Sequence, residues 1–213
     1  MSPIANTAAR SVPATLAEAV AAICAGKLVV YPTETFYGLG ADPSSESALE
    51  RLFEVKQREA GKPVALIAAD AASAFSIARE VPDVARRLAE VFWPGPLTLV
   101  IPARAGFASA LLGDDGGIGV RVSPHPIACA LAAGLGHPIT ATSANLSGEP
   151  PATTLAQTRV ALGGRVDAFL DGGTLAGGAP STVVTFEAAG VRIVRAGAIS
   201  EQAINAALGG GNR

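Results

Sequence analysis

From Thr15 onward the chain alternates between two spacings of apolar residues, one near 3.6 and one of short unbroken runs, with glycine and proline between them. Thr15-Leu-Ala-Glu18 has capping-box spacing, in which hydroxyl and carboxylate satisfy each other's backbone donors, and predicts a first helix ending at Gly26. Leu28-Val-Val-Tyr31 then reads as a buried strand stopped by Pro32. A second helix is predicted from Glu46 to about Arg58, with Leu49, Leu52 and Phe53 on one face, and a strand follows at 64–69. Further helices are predicted at 83–92, 126–133, 155–162 and 201–208, and strands at 97–101, 118–122, 138–142, 168–170, 182–186 and 191–195.

This alternation predicts an α/β domain. Strict βαβ order fails twice, because 64–101 holds two helices between strands and 168–195 holds three strands with no room for helices. The expectation is a single domain over 14–208 with one twisted mixed sheet, parallel in part and antiparallel near the C-terminus, flanked by helices. Residues 1–13 read as a flexible arm and 209–213 as a flexible tail.

The 213 residues are 49% hydrophobic, which is ample for a core, and with aromatics at 5% that core must rest on Ala, Val, Leu and Ile. A formal charge of −2 argues against a surface dominated by nucleic acid or anionic membrane. Cys24 and Cys129, each in an alanine-rich apolar segment, read as two buried thiols in a reducing compartment, and the cytoplasm is the expected location. Apolar runs stay short of the roughly 18 residues needed to span a bilayer.

Candidate chemistry gathers in a few places. Tyr31-Pro-Thr-Glu-Thr-Phe-Tyr-Gly-Leu-Gly-Ala-Asp42 follows a strand and packs hydroxyls, a carboxylate and glycines into one ligand-like loop. Lys56, Arg58 and Lys62 put three cations within seven residues, which complements a helix C-terminus or clamps a polyphosphate. Thr140-Ala-Thr-Ser-Ala-Asn145 ends a strand with hydroxyls and an amide, where an ordinary turn and a ligand site at a strand's carboxyl end are both open. Ser181-Thr182 opens another strand and is equally ambiguous.

Arg121, in Ile118-Gly-Val-Arg-Val122, shares a face with Gly119 and must find either an internal carboxylate or a ligand's; Arg195 poses the same question. Trp93-Pro-Gly-Pro96 reads as a rigid turn with a buried indole and no chemistry. His125 and His137 each stand beside a proline and are given a loop role, so no metal site is expected. The Walker, dinucleotide and nucleophile-elbow patterns are all missing from the sequence.

Seven of these segments, in this order, resemble the Sua5/YrdC/YciO family, and within it the short single-domain members. They are Tyr31 to Gly40, Lys56-Gln-Arg58 with Lys62-Pro63, Trp93 to Thr98, Val120-Arg-Val122 with His125-Pro126, Ser143-Ala-Asn145 with Ser147-Gly148, Ser181-Thr-Val183 and Arg195-Ala-Gly197. The resemblance runs from about Ala14 to Ile199. It implies a YrdC-like fold with a large concave cavity and no C-terminal Sua5 domain. The implied enzyme is a nucleotidyltransferase condensing L-threonine, bicarbonate and ATP, the last with Mg²⁺, into threonylcarbamoyl-AMP and pyrophosphate. Its product would go to a downstream transferase that modifies adenosine 37 of tRNA.

By matching position, the resemblance implies that Thr35, Arg121, Ala141 and Ser181 contact threonine. Lys56, Arg58, Lys62, Ser143, Asn145, Pro151 and Arg195 would contact ATP, with Lys56, Arg58, Ser143 and Asn145 the catalytic set. Lys56→Ala or Arg58→Ala is then expected to abolish adenylate formation with the fold intact. The chain departs from the family pattern at Glu59, where many relatives have proline, at Ile67, matched to a histidine that contacts threonine, and at Gly117, where some members offer the nucleotide a hydroxyl. Two other functions compete: binding of tRNA or double-stranded RNA, and a related enzyme with another carbamoyl acceptor.

Overall fold

The computed structural model describes residues 14–57, 62–187 and 190–209. The predicted arm, most of the predicted tail, and Arg58 with Glu59 lie outside them. The elements run α1 (Leu16–Cys24), β1 (Val29–Pro32), β2 (Tyr37–Gly40), α2 (Glu46–Lys56), β3 (Leu66–Ala68), α3 (Ala71–Phe75), α4 (Asp83–Phe92) and β4 (Leu97–Pro102). They continue with β5 (Gly117–Val122), α5 (Pro126–Leu135), β6 (Ile139–Thr140), β7 (Thr142–Ser143), α6 (Leu155–Leu162), β8 (Ala168–Phe169), β9 (Thr182–Glu187), β10 (Gly190–Arg195) and α7 (Glu201–Ala207).

The capping box forms as its spacing requires: Thr15 N donates to the Glu18 carboxylate at 2.8 Å, and Glu18 N donates to Thr15 Oγ1 at 3.3 Å. None of the described helices is long and apolar enough to cross a membrane.

Instead of one sheet there are two, both mixed. One has the order β7-β2-β1-β8 and the other β10-β9-β4-β5-β3-β6. The segment 31–42 that reads as a ligand loop is largely a hairpin: β1 and β2 pair from Val29 with Gly40 to Pro32 with Tyr37, leaving only Thr33 to Phe36 as the turn. The strand predicted at 138–142 breaks at Ala141, with Ile139-Thr140 pairing in the larger sheet and Thr142-Ser143 in the smaller. Ala141 is therefore where the chain switches sheets, and its N–H donates to Ala65 O at 2.7 Å.

Strand alternation sorts the larger sheet into two faces. Leu97, Leu99, Ile101, Ile118, Val120 and Val184 turn inward and are fully buried in the main core. Each such side chain contributes about 1.5–3 kcal/mol by leaving water. A smaller core lies where α1 and α5 cover β1, β3 and β6, and contains Ile23, Tyr31, Ile67, Leu131 and Ile139. The two helices approach closely at Gly134, where a Cβ would stand 2.7 Å from Val20 Cγ2.

Two packing expectations are corrected. Cys24 is exposed and Cys129 half-buried, both unpaired, because Cys24 ends α1 on its outer side. The Trp93 indole is also only half-buried; it tilts against Phe75 at 5.5 Å and donates through Nε1 to Leu97 O at 2.7 Å.

Candidate active site

The opposite face of the larger sheet is the floor of an open cavity of about 1210 Å³. Thr98 and Val100 of β4, Gly117, Gly119 and Arg121 of β5, Val183 and Thr185 of β9 and Val194 of β10 all line it, each two residues from the next on its strand. The facing wall comes from the smaller sheet and its β1–β2 turn, with Tyr37 and Ser143 from strands and Thr33 and Thr35 from the turn. Glycine at 117 and 119 keeps the floor open: a Cβ at Gly117 would lie 2.6 Å from Val100 Cγ1, and one at Gly119 would lie 3.3 Å from both Ala65 Cβ and Thr98 Cγ2.

Arg121 is buried and joins the two walls. Its Nη1 donates to both carboxylate oxygens of Glu34, at 2.8 and 3.0 Å, from β5 across to the β1–β2 turn. Ser123 Oγ donates to Glu34 Oε2 at 2.7 Å and accepts from His125 N at 3.1 Å. Burial alone would raise the Glu34 carboxyl; the Arg121 charge and the hydrogen bonds outweigh it and hold the group below the usual carboxylate range. Burial lowers His125, partly offset by Glu34, and raises the Tyr31 phenol well above its ordinary value.

Only Nη1 of Arg121 is bonded among the described residues, which leaves its Nη2 and Nε edge accessible from the cavity. Sequence left open whether Arg121 meets an internal carboxylate or a ligand's, and this geometry serves both.

Thr98 lies one step beyond the Leu99–Val120 pair and so opposite Arg121. Its hydroxyl is 2.9 Å from Ser181 Oγ. Arg195 Nη2 donates to Ser181 O at 2.8 Å and to Ser181 Oγ at 3.0 Å, so the serine's own proton is left for Thr98 or a ligand. Thr35 also lines the cavity, and its carbonyl accepts from Gly177 N at 3.0 Å.

Lys56 ends α2 facing inward, with 2% of its surface exposed. Its Nζ donates to Ser143 O, to Asn145 O at 2.9 Å and to Asn145 Oδ1 at 3.3 Å. Ser143 Oγ donates to the same Asn145 Oδ1, and Asn145 Nδ2 donates to Glu149 O. The lysine thus pins the turn that carries Ser143. Its truncation is not the structurally silent change that sequence suggests.

The structure brings Thr35, Arg121, Ala141, Ser143, Pro151, Ser181 and Arg195 to one cavity. Lys56 and Asn145 stand behind Ser143, and Lys62 is exposed outside the described lining. Arg58 is outside the described residues. Ile67 is fully buried in the smaller core, so it does not form a wall of the cavity as its match to a threonine-contacting histidine implied. Sequence reasoning missed Glu34 as the partner of Arg121, Thr98 as the partner of Ser181, and the exposed rim carboxylates Asp114 and Asp115. Strand alternation around Leu97 and Leu99 is the signal that could have found Thr98.

Against known proteins, the family model for Sua5, YciO and YrdC, described as "Telomere recombination", matches residues 21–197. A threonylcarbamoyl-AMP synthase of Pyrococcus abyssi is 37% identical over 184 residues, 86% of this chain and 54% of that protein. One of Xanthomonas campestris is 41% identical over 160 residues, 72% of this chain and 83% of that protein. The crystal structure of P. abyssi Sua5 with L-threonine superposes with a TM-score of 0.86 at 36% identity, covering 91% of this chain and 57% of the other. The chain thus spans little more than half the length of the archaeal relative.

Proposed function

Because the chain belongs to the Sua5/YciO/YrdC family, we propose that its cavity makes threonylcarbamoyl-AMP from L-threonine, bicarbonate and ATP, releasing pyrophosphate. The observation that carries this reading is Arg121: a buried guanidinium on the cavity floor, fixed at Nη1 and open at its other edge. A planar fork of that kind suits a bidentate carboxylate. The volume of about 1210 Å³ exceeds the ~300–1,000 Å³ of ordinary single-ligand pockets, which favours two substrates side by side.

In this reading Arg121 takes the threonine carboxylate while Thr35, Ala141 and Ser181 surround the amino acid. Ser143, Pro151 and Arg195 face the nucleotide, with Asn145 and Lys56 holding Ser143 in place and Lys62 and Arg58 reaching the phosphates. The amine nitrogen bonds to the bicarbonate carbon as water leaves, giving a carbamate. A carbamate oxygen then bonds to the α-phosphorus as the bond to pyrophosphate breaks. The chain's own contribution is to position the two substrates and to place cations and hydroxyls around the developing charge. ATP enters as its Mg²⁺ complex, and the metal screens phosphate charge. The adenylate passes to a transferase that modifies tRNA, and the two unpaired cysteines suit the reducing cytoplasm.

The test is calorimetric titration with L-threonine and, separately, with a non-hydrolysable ATP analogue. Arg121→Gln should weaken threonine by roughly 30-fold or more, the loss of a buried charge-assisted pair, and change the analogue's affinity by less than about twofold. Equal threonine affinity in a folded Arg121→Gln protein would sink this assignment.

A further inference from the structure

Within the threonine-and-ATP reading on which it rests, we infer that Glu34 is a positioning and specificity residue that makes Arg121 accept a zwitterionic amino acid and refuse a polyphosphate. Glu34 stands behind the guanidinium rather than in the cavity lining, and both of its oxygens bind the same nitrogen, Nη1. Two consequences follow. The fork is fixed in rotation, with its Nη2 and Nε edge toward the cavity, and the positive charge behind that edge is already balanced.

An uncompensated buried arginine in a cavity of this size would bind whichever anion carries more charge, and ATP or pyrophosphate outweighs an amino acid. A carboxylate in contact with the guanidinium reverses that preference. It repels a highly charged phosphate chain, while an amino acid brings its own ammonium to offset the repulsion. Specificity by a built-in repulsive group needs no additional attractive contact. The group is anchored for this purpose: Ser123, fully buried, donates to Oε2 at 2.7 Å, is itself held by His125 N at 3.1 Å, and has its carbonyl bonded by Cys129 Sγ at 2.8 Å.

The experiment uses the full chain, with inorganic pyrophosphate as the probe of phosphate binding and L-threonine titrated in its presence. In the wild type, pyrophosphate should leave the apparent threonine Kd unchanged while competing with ATP. In Glu34→Gln, which keeps the shape and removes the charge, pyrophosphate should compete with threonine, with its affinity for that end raised about tenfold or more. Glu34→Asp, which keeps the charge, should restore the wild-type pattern. Unaltered pyrophosphate behaviour in folded Glu34→Gln would overturn the inference.

Should Glu34→Gln fail to fold, Ser123→Ala tests the anchoring half. It removes the serine's anchor on Oε2, which then keeps only Arg121 Nη1, with the charge retained, so threonine Kd should rise about three- to tenfold with pyrophosphate still excluded, and an unchanged Kd overturns the inference. Wild-type protein that binds no threonine would overturn the underlying reading and this inference with it.

Discussion

Lys56→Met keeps the length of the side chain and removes its three donors, and the hydrogen-bond pattern says what that costs. Asn145 O has Lys56 as its one partner among the described residues, whereas Ser143 O also accepts from Asn145 N at 3.0 Å and Asn145 Oδ1 also accepts from Ser143 Oγ. The substitution therefore orphans one buried carbonyl, at about 1–3 kcal/mol, and weakens two further acceptors that each lose a charge-assisted bond of about 1.5–3 kcal/mol. Relief of the buried ammonium's desolvation offsets part of this. The net expectation is a loss of about 2–4 kcal/mol, a fall in Tm of roughly 4–16 °C for a chain of this size. Thermal and urea unfolding followed by circular dichroism would measure it. Adenylate synthesis should fall as well, because the turn carrying Ser143 loses its pin. A Lys56→Met protein with wild-type Tm and no synthesis would refute the reasoning, and would show the lysine acting on substrate without supporting the turn.

Two further outcomes follow from the same geometry. Because the Glu34 carboxyl is depressed in the folded protein, its contribution to stability is complete above the unfolded glutamate value of about 4.3 and is lost as pH falls below it. His125, also depressed, acts with the same sign from about pH 6.5 downward, so urea midpoints should fall over both ranges, and Glu34→Gln should flatten only the lower one. Gly119→Val should lower Tm by a few degrees, since its Cβ would stand 3.3 Å from Ala65 Cβ and Thr98 Cγ2, closer than ordinary contact, and should put methyl groups beside Arg121 that weaken threonine binding by about tenfold or more in calorimetry.

Where local rules decide, the sequence was legible. The Thr15–Glu18 box, the helices at Glu46–Lys56 and Asp83–Phe92, and the sorting of Arg121 onto the same face as Gly119 all rest on spacings of three, four or two residues. Long-range pairing is where it ran out. Nothing local to 138–142 says that Ala141 passes the chain from one sheet to the other, so one sheet was expected in place of two. The pairing of Glu34 with Arg121 spans 87 residues and depends on both sheets. Segments dense in hydroxyls and charges did mark the cavity, but which of them face it and which support it from behind, as Lys56 and Asn145 do, is set by helix rotation and burial.

The most direct measurement is product analysis of the purified protein with ATP, Mg²⁺, bicarbonate and L-threonine, following pyrophosphate release and identifying the adenylate by chromatography and mass. Threonine-dependent threonylcarbamoyl-AMP is expected, with one pyrophosphate per adenylate and loss of both in Arg121→Gln. Protein that binds ATP yet forms no adenylate with threonine would contradict it.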